Sequence, residues 1–176
     1  MTWPLNVGVL VGLALAAFAV ECSHAASPVS MTATTPFTQS KVTDANGAIS
    51  YRVGGVFAAA GTNPARLSLT AICSPAGGPL ALLIVRTNAP PALKSGAVTV
   101  IAHVDSQGLS TMASERTAGN GLASYELKAG PAIEALVSAM TAGQQLLVEL
   151  DEFSAVLPLA GFAAEMKDLA AACPHR

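Results

Sequence analysis

Aromatic and charged side chains are scarce in this chain, at 5% and 11% of 176 residues. A core short of Phe, Tyr and Trp has to be assembled from Leu, Val, Ile and Ala, each of which contributes modest burial. The balance of 9 Lys and Arg against 11 Asp and Glu excludes the basic footprint that nucleic acid or anionic lipid demands. Catalytic signatures are missing as well. There is no G-x-S-x-G, no S-x-x-K, no H-E-x-x-H and no glycine-rich phosphate loop. Ser106, Ser110 and Ser114 have no neighbouring base in sequence. These absences weigh against an enzyme and leave no catalytic residue, metal ligand or cofactor to assign.

Leu5 to Val20 is almost unbroken apolar sequence, ended by Glu21. It is shorter than the about 20 residues of a bilayer span, but it suits the core of an export signal. Ser23 and Ala25 precede Ala26 with the small-residue spacing of a cleavage site. Met1 to Asn6 carries no Lys or Arg, so the terminal amine alone supplies positive charge there. Cys22 suggests lipidation, but Glu21 directly before it and Ala19 upstream argue against that. The expected organisation is a signal peptide over 1–25, a Ser/Thr/Pro-rich linker over 26–38 and one β-rich domain over 39–176. No membrane span remains after cleavage, and the mature protein is placed in the periplasm or outside the cell.

Within the domain, period-two alternation predicts strands from Ile49, over Arg66 to Ser74 and over Val98 to Val104, while Leu80 to Val85, apolar on both faces, reads as a central strand. Asp105-Ser106-Gln107-Gly108 and Gly119-Asn120-Gly121 read as hairpin turns, giving a meander that ends near Leu127. Pro131 starts a helix that Gly143 ends, with Ile133, Leu136, Val137 and Met140 on one face. Strands over Gln145 to Leu150 and Phe153 to Leu157 follow. A final helix from about Gly161 carries Phe162, Met166, Leu169 and Cys173 as a single stripe. The expected fold is mainly β, a small antiparallel sandwich or curled sheet, with one inserted helix and a C-terminal helix packed on it. Cys73 shares a strand face with Leu67, Leu69 and Ala71, while Cys173 lies on the apolar stripe of the last helix. In an exported chain these two cysteines are expected to form a disulfide.

Two constellations have the makings of a site. His103 and Asp105 are two apart on one strand, an imidazole beside a carboxylate, which is the start of a metal or acid-base site. The only other histidine of the mature chain is His175, next to the terminus. Glu149, Asp151 and Glu152 place three carboxylates where one strand gives way to the next, but no twelve-residue calcium loop surrounds them. A polar strand face and a solvated turn account for both.

Several landmarks taken together resemble the VasI-like accessory proteins of type VI secretion clusters and related small exported proteins of unassigned function. They are Ser40-Lys41-Val42-Thr43-Asp44, the strand end Leu69 to Cys73, the strand Val98 to Asp105, and Leu159-Ala160-Gly161-Phe162 leading through a helix to Cys173. The closing Gly-Phe-Ala-Ala segment is also similar to the invasion-associated locus B family. The first resemblance implies a non-catalytic envelope protein tied to a secretion apparatus, presenting a sheet edge or loops to its partner. Two other classes are carried alongside it: a small periplasmic hydrolase or metal-dependent enzyme using His103 and Asp105, and a structural or virulence-associated surface protein.

Export and pairing are tested together by the intact mass of the protein from its native host. The expected result is a chain beginning at Ala26 whose two thiols become labelled only after reduction. A full-length mass with free thiols contradicts both.

Overall fold

The computed structural model describes residues 27–73, 78–105, 110–151 and 153–173. The signal peptide, Cys22, His175, Glu152, Ser106 and most of the predicted turn after Asp105 lie outside these residues. Nine strands and two helices follow one another as β1 Val29–Thr43, β2 Ile49–Ala59, β3 Arg66–Cys73, β4 Leu80–Thr87, β5 Gly96–Val104, β6 Ser110–Gly119, β7 Leu122–Leu127, α1 Pro131–Ala142, β8 Gln145–Leu150, β9 Phe153–Pro158 and α2 Phe162–Ala172.

The strands form one closed barrel in the order β1-β2-β3-β4-β7-β6-β5-β8-β9. Every neighbouring pair is antiparallel except the last, where β1 meets β9 in parallel through Val29 with Ala155 and Ser30 with Val156. This corrects the expected sandwich or curled sheet. Alternation requires that one face of each strand be buried, a condition that a sandwich and a barrel meet equally. The difference lies in residues 29–38, assigned to a linker on composition, which are part of β1 and close the barrel. Their Thr-rich sequence hid the strand because only Met31 and Phe37 of β1 are buried. Threonine nevertheless favours extended backbone, and the outer face of a barrel strand needs no apolar residue.

Inside the barrel the apolar phases of the strands converge. Leu67, Leu69, Ala71 and Cys73 of β3, Leu80, Leu82 and Ile84 of β4, Val100, Ala102 and Val104 of β5, and Leu146, Val148 and Leu150 of β8 are all buried. β2 runs through Gly54-Gly55 to Ala59. A side chain at Gly55 would put its Cβ 3.1 Å from the Phe37 ring, so glycine lets β1 and β2 bring their aromatics together. Between β6 and β7, Asn120 and Gly121 have φ of 53° and 74°, the two positive values that a tight primed hairpin turn requires.

Both helices cover the end of the barrel where β3, β5, β7 and β9 finish. α1 begins with Pro131, whose missing N–H is no loss in a first turn, and buries Ile133, Leu136, Val137 and Met140. α2 buries Phe162, Met166 and Leu169. Phe162 packs edge-on against Phe37 with centroids 5.0 Å apart, and Phe37 against Phe57 at 5.5 Å. The C-terminal end of α2 is fixed by a disulfide from Cys173 to Cys73, with Cα atoms 6.1 Å apart and 100 residues between them in sequence. The bridge therefore ties the last helix to the end of the third strand.

Closing so long a loop restricts the unfolded chain by about 4 to 5 kcal/mol in the chain-entropy treatment. Replacing both cysteines by Ser is expected to lower the unfolding free energy by about 2 to 4 kcal/mol in urea titration. A loss below about 0.5 kcal/mol would show that packing of Phe162 and Leu169 holds α2 without the bridge.

Candidate functional site

In each of the two constellations read from sequence a carboxylate is held by neighbouring groups of the fold. His103 lies on the outward phase of β5, between the buried Ala102 and Val104. Asp105 leaves that strand with φ of 49°, and its carboxylate accepts hydrogen bonds from the backbone N–H of Gln144 at 3.0 Å and Gln145 at 2.9 Å. It thus fastens the connection from α1 to β8. Gly143 is required beside it, because a Cβ there would collide with Val104 and with the Asp105 carboxylate. A carboxylate already bonded to two fixed amides is poorly placed to orient an imidazole or take up a proton.

The acidic patch divides in the same way. Glu149 sits on the outward phase of β8, whereas Asp151 turns with φ of 53° into a cluster at the barrel end opposite the helices. Its Oδ2 accepts a hydrogen bond from the Tyr125 hydroxyl at 2.9 Å, and its Oδ1 pairs with Arg116 Nη1 at 2.6 Å. Arg116 also donates from Nε to the carbonyl of Lys94 at 2.6 Å. Beside them the guanidinium of Arg86 stacks on the Phe153 ring, 4.1 Å from its centroid. No group of three or more His, Cys, Asp or Glu fit to hold a metal occurs among the described residues.

Arg86, Arg116 and Tyr125 were not singled out from sequence, although a signal was present. Arg86 follows Leu80, Leu82 and Ile84 on the same phase of β4, Arg116 follows Met112 and Ser114 on β6, and Tyr125 stands between Ala123 and Leu127 on β7. A charged residue on the apolar phase of a strand points into the barrel, and here three strands and the β8–β9 turn bring such groups together. Burial pushes the Tyr125 hydroxyl up to about 12, aided by its bond to Asp151 and that carboxylate's charge, and opposed by Arg86 and Arg116. Burial also lowers the Arg86 guanidinium, against the opposing influence of Tyr125 and Asp151. A tyrosine held protonated to such high pH is a donor that fixes Asp151, not a general base.

A concavity lies at the other end, away from this polar cluster. It is a groove of about 540 Å³ between α1 and α2, floored by Leu80, Val137, Met166 and Leu169. Glu134 on α1 and Lys167 on α2 stand exposed on its two walls, and neither makes an ion pair with a described residue. The chain matches no protein-family model, no curated protein and no solved structure.

The raised tyrosine sets a pH dependence. Its protonated form is favoured on folding, so its contribution is complete below the ordinary tyrosine value near 10 and is lost as pH rises through about 12. Urea titrations across this window are expected to show wild type losing stability more steeply than Tyr125→Phe. Parallel curves for the two proteins would show that Tyr125 does not titrate with unfolding.

Proposed function

We propose that this chain is an exported, non-catalytic accessory or binding protein of the bacterial envelope, whose α1–α2 groove receives an amphipathic segment of a secretion-apparatus protein. The observation that carries this reading is the groove itself. Its floor is apolar, its volume falls within the about 300 to 1,000 Å³ of ordinary ligand sites, and its walls carry opposite charges that no described residue pairs. A segment with apolar side chains for Val137, Met166 and Leu169, a cation facing Glu134 and an anion facing Lys167 matches it in shape and charge.

Export is supported by the Cys73–Cys173 bridge, since disulfides persist in oxidising compartments, and by the apolar leader ahead of small residues. The sheet edge first expected to meet the partner is a weaker platform. The barrel closes at Val29 and Ser30, and further along β1 the outward N–H of Gln39 donates to Glu165 of α2 at 3.0 Å. Among the described residues no helix is long and apolar enough to cross a membrane. The non-catalytic part of the reading rests on the commitment of Asp105 to backbone amides and of Asp151 to Tyr125 and Arg116.

Affinity capture from native envelope extract tests the proposal with wild type, Val137→Lys and Lys167→Glu. Wild type is expected to recover secretion-machine components. Val137→Lys should recover at least tenfold less while keeping the wild-type circular dichroism, and the charge reversal an intermediate amount. Equal recovery by all three proteins would place the contact elsewhere. No secretion components with wild type would leave the structural or surface-factor class standing instead.

A further inference from the structure

The polar end of the barrel holds more cation than its described residues balance. Two guanidinium groups, Arg86 and Arg116, point inward there, and among the described residues Asp151 is the one carboxylate bonded within the cluster. Both of its oxygens are in use, Oδ2 by Tyr125 and Oδ1 by Arg116. Arg116 is saturated further by the Lys94 carbonyl. Arg86 is not. Among the described residues its Nε is buried without a hydrogen-bond partner, and its guanidinium lies on the face of Phe153.

Taking an arginine out of water without an acceptor is unfavourable, and stacking on an aromatic ring replaces only part of the lost hydration. Stacking through the ring face leaves the in-plane N–H edge of Arg86 without an acceptor at Nε among the described residues. That edge is the fork geometry that recognises a carboxylate or a phosphate through two parallel hydrogen bonds. Arg116 and Asp151 keep 13% and 19% side-chain exposure, so the cluster is in reach of solvent. Tyr125 and Asp151 hold Arg116 in place, which pre-organises a second positive group beside the first.

We propose that this end of the barrel is an oxyanion site in which Arg86 receives a carboxylate or phosphate group by its N–H edge, with Arg116 supplying the neighbouring positive charge. Phe153 fixes the guanidinium plane and Asp151 fixes Arg116. The site is independent of the helical groove at the opposite end. It gives the protein a way to bind an anionic small molecule, or the anionic end of a larger one, without catalysis.

The test follows the Arg86 and Arg116 Nε–H resonances by proton–nitrogen NMR while inorganic phosphate, or separately acetate, is added at constant ionic strength. A saturable shift of both resonances is expected with at least one probe. Phosphate alone would assign a phosphate ligand, and acetate alone a carboxylate. In Arg86→Met the Arg116 signal should respond at least tenfold more weakly, and Arg86→Lys, which keeps charge but loses the fork, should also bind more weakly than wild type. Shifts linear in anion concentration, or an Arg116 response unchanged in both variants, overturn the proposal. So does saturable binding that appears only after Glu152→Gln, which would mean that the chain supplies the carboxylate itself.

Discussion

The joint between β1 and β9 is the constraint on which the rest of the architecture depends. A nine-stranded sheet becomes a barrel here through two residue pairs, Val29 with Ala155 and Ser30 with Val156. So short a parallel ladder contributes little by itself, and parallel pairing is the weaker kind per residue. What completes the wall is α2, which packs on β1 and β2. Phe162 seats on Phe37, which seats on Phe57, while Glu165 accepts the N–H that Gln39 turns away from β2. The bridge from Cys173 to Cys73 then holds the other end of the helix. One helix is thus fixed by aromatic packing and a charged hydrogen bond on β1 and by a covalent link to β3. That arrangement protects an edge which would otherwise be open to pairing with other chains.

The two ends of the barrel solve different problems. At the base the strands finish in apolar residues, and α1 and α2 cover them with one apolar face each. The cover is incomplete and leaves the groove over Val137, Met166 and Leu169. At the other end no described helix covers the core, and inward positions there change from leucine and valine to arginine and tyrosine. A buried polar cluster is favourable only when its members satisfy one another. Tyr125, Asp151 and Arg116 do so, which fixes the β8–β9 turn against β6 and β7. Arg86 stands next to them with its ring contact and an unmet donor. The residue types that close this end of the core therefore also make it receptive to an anion.

Local pattern and tertiary outcome part company in particular places. The faces of α1 and α2, the inward phases of β3 and β5, and the Asn120-Gly121 turn were legible because helical and strand periodicity are set by backbone geometry over a few residues. β1 was not legible. Its partners Ala155 and Val156 are far away in sequence, and its own side chains mostly face solvent, so nothing local distinguishes it from a polar tether. The pair His103 and Asp105 looked like chemistry because they share a strand phase. The left-handed backbone at Asp105 takes its carboxylate to the amides of Gln144 and Gln145 instead.

The amino-acid sequence by itself determined the strand and helix periods, the shortage of aromatic and charged residues, and the two cysteines on apolar faces. These are properties of residue type and short-range spacing, and they survive any rearrangement of the elements. Only the tertiary structure decided that the sheet closes, that a Thr-rich segment supplies the closing strand, and that Arg86, Arg116, Tyr125 and Asp151 meet at one end. Each depends on pairing between distant strands, and strand pairing is governed by which edges become available as the chain collapses, information that no single segment contains.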